Sequence, residues 1–201
     1  MDIDVTIIVT DTSPLITLAA VQCLDYLLYS ALPVVIPDAV FYEATHASGK
    51  LGAQEIMDWY HRHMDMVRIE PTEIFKDAII LAPTKGGRLS RDTGERAAME
   101  IVRNFPLKAT ERAILLVDDR DIDRYLIIDA QKLILLTTWD YLNQLEEARR
   151  IESANAVMEL VHKAGRNPPM ADLWHQHDPE IRHAVRSLLE KTHRGFDPKP
   201  S

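Results

Sequence analysis

The stretch that decides the fold is Val5-Thr-Ile-Ile-Val-Thr10, followed at once by Asp11-Thr-Ser-Pro14. The run is β-branched throughout and too short for a core helix, so it reads as a strand buried on both faces, the kind found in parallel sheets. Asp11 ends it with an N-cap-like polar group, and Pro14 sits at the opening of a helix whose buried face is Leu15, Leu18, Ala19, Val21 and Leu24. The same phrase then recurs. Residues 33–36 form an apolar strand closed by Pro37, with a helix beginning at Asp38 that carries Val40, Phe41 and Glu43. Residues 113–117 form another, closed by Asp118-Asp119, with a helix over 121–130 and a strand at 133–136 behind it. Between these lie a helix over 48–64, a short strand at 67–71, a weak helix over 73–82, the Pro83-Thr-Lys-Gly-Gly87 loop, and a helix from Thr93 to about Asn104. The β-α-β-α order predicts an α/β fold, a parallel sheet flanked by helices.

Beyond Asp140 the composition changes. Residues 141–164 read as one long amphipathic helix with Leu142, Leu145, Ala148, Val157, Leu160 and Val161 on one face, and 178–191 as a second with Ile181, Val185, Leu188 and Leu189. The chain therefore divides into an α/β unit over 1–140 and a C-terminal helical extension over 141–201, its last residues a frayed tail.

Composition narrows the function. The 201 residues are 46% hydrophobic and 27% charged, in the ordinary globular range. The single Cys23 excludes an internal disulfide and a CxxC zinc site, no apolar run is long enough to span a membrane, and Met-Asp-Ile-Asp has the wrong sign for a secretory leader. These features predict a cytoplasmic protein. With 23 Lys plus Arg against 31 Asp plus Glu, the net charge is −8, which argues against general electrostatic binding to nucleic acid unless the acids have a local purpose.

They do have a candidate purpose. Ligands of parallel α/β sheets sit beyond the carboxyl ends of the strands, where Asp11, Asp118 and Asp119 fall. Glu43, one turn into the helix after the second strand, and Glu95, near the start of a later helix, can lean over the same edge. Singly, each has an ordinary explanation as a cap, a first-turn acid or a solvated side chain. Together they would repel unless a cation is bound, and an all-oxygen set without His or Cys suits Mg2+ or Mn2+. Such ions support phosphodiester cleavage without a protein nucleophile. No P-loop and no G-x-S-x-G elbow occurs. Lys85, Arg88 and Arg91 in the glycine loop, with Arg120 and Arg124 after the Asp pair, are the cations nearest to such a site that could grip substrate phosphate. Asp92 and Asp140 are reserve acids. The histidine pairs His61/His63 and His175/His177, spaced by two, do not share a helix face, and Trp59, Trp139 and Trp174 read as packing residues.

These residues carry a family resemblance. Val9-Thr-Asp11-Thr-Ser13-Pro-Leu-Ile16, Val34-Val-Ile-Pro37-Asp-Ala-Val40 with Glu43, Asp92-Thr-Gly94-Glu95-Arg-Ala-Ala98 and Leu116-Val-Asp118-Asp119-Arg120 resemble, in order and spacing, the acidic motifs of PIN-domain ribonucleases. The likeness covers about 1–140, making that unit a PIN-like nuclease domain, and is nearest to VapC-like toxins and their prokaryotic relatives. It implies a Mg2+- or Mn2+-dependent endoribonuclease acting on RNA, the toxin of a type II toxin–antitoxin pair. Asp11, Glu43, Glu95 and one of Asp118 and Asp119 would be catalytic metal ligands, and Ser13 the small hydroxyl beside the first acid. It also implies an antitoxin protein partner and a homo-oligomer. Two other readings compete: a non-catalytic PIN-fold binding or regulatory protein, prompted by the acidic total and the helical extension, and a receiver-like phosphotransfer domain, prompted by Asp118-Asp119. The second lacks a lysine at a corresponding strand end.

Overall fold

The computed structural model describes residues 3–46, 49–85, 89–90, 92–118, 132–170 and 179–192. Its centre is a five-stranded sheet, all neighbours parallel, in the order β3-β2-β1-β4-β5. The strands are β1 (Asp4–Thr10), β2 (Val34–Pro37), β3 (Val67–Glu70), β4 (Glu111–Leu116) and β5 (Leu133–Leu136). Eight α-helices flank them among the described residues: α1 (Thr12–Ala19), α2 (Asp38–Thr45), α3 (Ala53–Arg62), α4 (Glu73–Leu81), α5 (Thr93–Asn104), α6 (Thr138–Glu147), α7 (Ala154–Lys163) and α8 (Pro179–Lys191). The expected parallel α/β architecture is thus the observed one. The helix expected over 121–130 lies outside the described residues.

Strand residues alternate between two cores, as the period of two requires. Ile8, Val34, Ile36, Ile114, Leu116, Ile134 and Leu136 face the larger core, while Ile7, Val9, Val35, Ala113, Leu115, Leu133 and Leu135 face the smaller one. Ala98, Ile101 and Val102 of α5 cover that smaller core. The helices beyond residue 140 belong to the larger: Leu142, Leu145, Val157, Met158, Val161, Val185 and Leu189 are all buried in it. Trp59 is fully buried there, and its Nε1 donates to Asp25 Oδ1 at 2.9 Å, so it is a packing residue.

Two helix boundaries differ from expectation for local reasons. The long helix expected over 141–164 is two helices. Arg149 takes a left-handed φ of 57°, and Arg150 N–H and Arg149 N–H donate back to the carbonyls of Leu145 and Glu146, which closes α6. Ser153 then caps α7 by accepting from Ala156 N–H, and Glu146 Oε2 accepts from Ala154 N–H at 2.7 Å. Amphipathic periodicity runs on across this break because both helices bury their apolar faces in one core. Helix α3, expected from residue 48, starts only at Ala53, because Gly52 at φ 77° turns the preceding chain out of helical geometry.

Candidate active site

The chain runs β1, β2, β3 to one side and then returns for β4 and β5 on the other, so the strand order reverses between β1 and β4. Crevices form at such a switch point, outside the carboxyl ends of the strands. The two strands end in register, Thr10 opposite Leu116, and Asp11 N–H donates to the Leu116 carbonyl at 2.9 Å. The acids just past their ends, Asp11 and Asp118, therefore emerge side by side. A cleft of about 310 Å³ opens here, lined by Asp11, Thr12, Ser13, Ile16, Glu43, Glu95, Asp118 and Arg166. Four of the five acids singled out from the sequence thus meet in one cleft. The fifth, Asp119, lies outside the described residues.

Each acid has a definite support. Asp11 stands between β1 and α1. Thr12 Oγ1 donates to Glu43 Oε2 at 3.0 Å and so ties α2 to the start of α1. Glu95 is a first-turn residue of α5. Asp118 is buried and accepts from both the N–H and the hydroxyl of Thr138, each at 2.8 Å, at the first residue of α6. Gly94 lets α5 come this close: a β-carbon there would lie 3.3 Å from Glu43 Oε2 and Val40 Cγ2 and 3.4 Å from Asp11 Oδ1.

The field is strongly negative. Burial pushes the Asp11 carboxyl up to about 7, and the charges of Glu95, Glu43 and Asp118 push in the same direction against the Thr12 N–H. The Asp118 carboxyl is raised to about 6, again mainly by burial, with the two Thr138 donors and the Arg166 charge opposing and Asp140 adding to the rise. Such a set can be ionised together only beside added positive charge.

The donors lining the cleft are oxygens, without His or Cys, which suits a hard cation. Among the described residues no three His, Cys, Asp or Glu side chains form a ready metal-binding group. A closed zinc-type cage is therefore not what the described side chains build. A hydrated ion needs none, because Mg2+ keeps several waters and takes only one or two carboxylates. Asp11, Asp118, Glu43 and Glu95 fit that mode.

The remaining sequence candidates fall elsewhere. Ser13 lines the cleft, but its Oγ accepts from Arg166 Nη2 at 2.8 Å, and the hydroxyl that holds an acid is its neighbour Thr12. Asp140 forms a reciprocal cap with Thr137, accepting from its N–H at 3.0 Å and its hydroxyl at 2.8 Å. Asp92 precedes α5 and accepts from Ser90 Oγ at 2.5 Å. Lys85 closes the 3-10 turn Ala82–Lys85, its side chain outside the described residues. Arg88, Arg91, Arg120 and Arg124 also lie outside them.

Sequence reasoning gave no role in the site to Thr12, Thr138 or Arg166. Thr138 had a signal, being the first helical residue after a strand. Arg166, 48 to 155 residues along the chain from the acids it faces, had none.

Fold and cleft together define a parallel α/β protein whose switch point carries acids suited to a hard cation. A family model described as a PIN domain matches residues 7–166. The chain belongs to the PIN-domain family, a nuclease fold, and the match runs past residue 140 to include α6 and α7. Comparison with curated proteins gave no match, and neither did comparison with solved structures.

Proposed function

We propose that this protein is a divalent-metal-dependent endoribonuclease that cleaves RNA phosphodiesters, the toxin of a type II toxin–antitoxin pair. The observation that carries the reading is the meeting of Asp11, Glu43, Glu95 and Asp118 in one cleft at the strand switch point of a PIN domain. Asp11, Asp118, Glu43 and Glu95 would hold Mg2+ or Mn2+, which supplies charge neutralisation at phosphate and acidifies water.

The chain's own contribution is order. Thr138 holds both oxygens of Asp118, and Thr12 holds one oxygen of Glu43, so two of the four acids keep their orientation without a ligand. Glu43, Asp11 and Glu95 line the cleft beside Asp118. Burial keeps bulk water from screening these charges, which strengthens their pull on a cation and their repulsion of bare phosphate. An RNA backbone is thus admitted only with positive charge beside it.

The same reading includes an antitoxin, self-association and a cytoplasmic location. Ile79, Ile80 and Leu81 at the end of α4 are 43%, 65% and 49% exposed, apolar area of the sort that a protein partner covers. No described helix is long and apolar enough to cross a membrane.

The test is cleavage of a single-stranded RNA with Mg2+ or Mn2+ present. Asp11→Asn should abolish cutting, and cutting at the wild-type rate by that variant would overturn the proposal. Calorimetry in which the wild-type protein takes up no divalent ion would favour a non-catalytic binding module instead.

A further inference from the structure

Arg166 is the one cation among the described residues that line the acidic cleft. It arrives by a specific route. Helix α7 ends in a Schellman motif: Gly165 N–H donates to the His162 carbonyl and Arg166 N–H to the Val161 carbonyl, with Gly165 at a left-handed φ of 81°. That reversal sends the arginine back across the molecule to α1. There its Nη2 donates to Ser13 O at 3.2 Å, Ser13 Oγ at 2.8 Å and Thr17 Oγ1 at 3.2 Å. The anchors use one guanidinium nitrogen. Nε is buried and has no hydrogen-bond partner in the structure. A buried charged donor left unpaired is costly, so its position calls for a partner. The guanidinium also pulls on the Asp118 carboxylate.

We propose that Arg166 is a substrate-binding residue of the cleft, anchored through Nη2 so that the rest of its guanidinium engages a non-bridging oxygen of the RNA phosphate held over the acids. The inference rests on the nuclease reading and deepens it. A fork of fixed N–H donors suits phosphate oxygens better than a mobile ammonium does. The acids and the arginine then divide the work, the carboxylates taking the cation and Arg166 the anion. A cleft of four acids needs such a group, because its own field opposes the approach of RNA.

The test measures two affinities of opposite sign. RNA binding is followed with a fluorescein-labelled single-stranded oligoribonucleotide in Ca2+, and metal binding with Mn2+ alone by calorimetry. Arg166→Gln should weaken RNA binding by about tenfold or more, since a charge-assisted contact is lost. It should also tighten Mn2+ binding, since a positive charge has left the acids' surroundings. Loss of both affinities together would make Arg166 a structural brace and overturn the inference. Wild-type RNA binding and cutting in the variant would overturn it while leaving the nuclease intact. A wild-type protein that neither binds nor cuts RNA would end both readings. Should Arg166→Gln fail to fold, Arg166→Lys decides: it keeps the charge but not the fork, so RNA binding should still fall about tenfold with Mn2+ affinity unchanged. Full RNA affinity in that variant overturns the inference.

Discussion

Thr138 gives both of its donors to Asp118, backbone N–H to Oδ1 and hydroxyl to Oδ2, each at 2.8 Å. The pair joins the end of β4 to the start of α6 and points one acid into the cleft, while Asp140 is turned back onto Thr137. A hydroxyl bond to a buried carboxylate contributes roughly 2 kcal/mol. Thr138→Val should therefore cost about that much, more at pH 8 than at pH 5. The hydroxyl favours ionised Asp118, and below about 6 that carboxyl is protonated. Urea unfolding at the two pH values checks this; an equal loss at both would contradict it.

Stability should fall as pH rises when divalent ions are chelated. The folded values of about 7 for Asp11 and about 6 for Asp118 lie above those of an unfolded carboxyl. Between about pH 4 and pH 7 the folded state holds more protons than the unfolded one, so stability declines through that window and levels off above it. Millimolar Mg2+ should remove the decline by favouring the ionised acids. Urea midpoints with EDTA and with Mg2+ across this range measure it, and a curve that rises with pH in EDTA would refute the assignment.

Asp11→Asn should separate function from stability. Removing a carboxylate that burial and three neighbouring acids disfavour ought to stabilise the metal-free protein at pH 8, by about 1–3 kcal/mol, while abolishing cleavage. Thermal melting in EDTA alongside an RNA-cleavage assay reads both. A destabilised variant would show that the site is not under electrostatic strain.

Gly94→Ala tests how tightly α5 approaches the acids. Helix propensity favours alanine by roughly 1 kcal/mol, but the new methyl would press on Glu43 Oε2 at 3.3 Å and Asp11 Oδ1 at 3.4 Å. The melting temperature should hardly move, whereas Mn2+ affinity should fall about tenfold, equivalent to roughly 1.4 kcal/mol. Unchanged Mn2+ affinity would mean that these two oxygens do not serve the cation.

Gly165→Ala tests the turn that delivers Arg166. Nothing lies within 4 Å of the added β-carbon, so the cost is the left-handed backbone alone, about 1–2 kcal/mol. Urea unfolding should register that loss together with a weakened grip on RNA. No loss of stability would indicate that the turn relaxes without difficulty.

The strands were legible because their signal is local: six β-branched residues stopped by Asp11, or four apolar ones stopped by Pro37, announce buried strands wherever they occur. Asp11, Glu43, Glu95 and Asp118 were legible as a group because Asp11 and Asp118 follow strands, and Glu43 and Glu95 lie within two turns of helix starts, that could be read from the sequence. The break between α6 and α7 was not, since it turns on Arg149 adopting a conformation that arginine rarely takes and on Ser153 capping α7. Periodicity reports which face is buried and is blind to a bend that keeps that face inward.

The net charge of −8 shows the same division. By itself it opposed a nucleic-acid partner, and four of those acids turn out to share one cleft with a cation-suited donor set. The amino-acid order determined that acids would stand at strand ends of a parallel sheet, because strand, stop and helix start are encoded within a few residues. Only the tertiary structure decided that β1 and β4 are neighbours, that Thr12 and Thr138 hold the carboxylates, and that Arg166 faces them from the end of α7. Those relations join residues far apart in the chain, and they exist only once the cores on both sides of the sheet have closed.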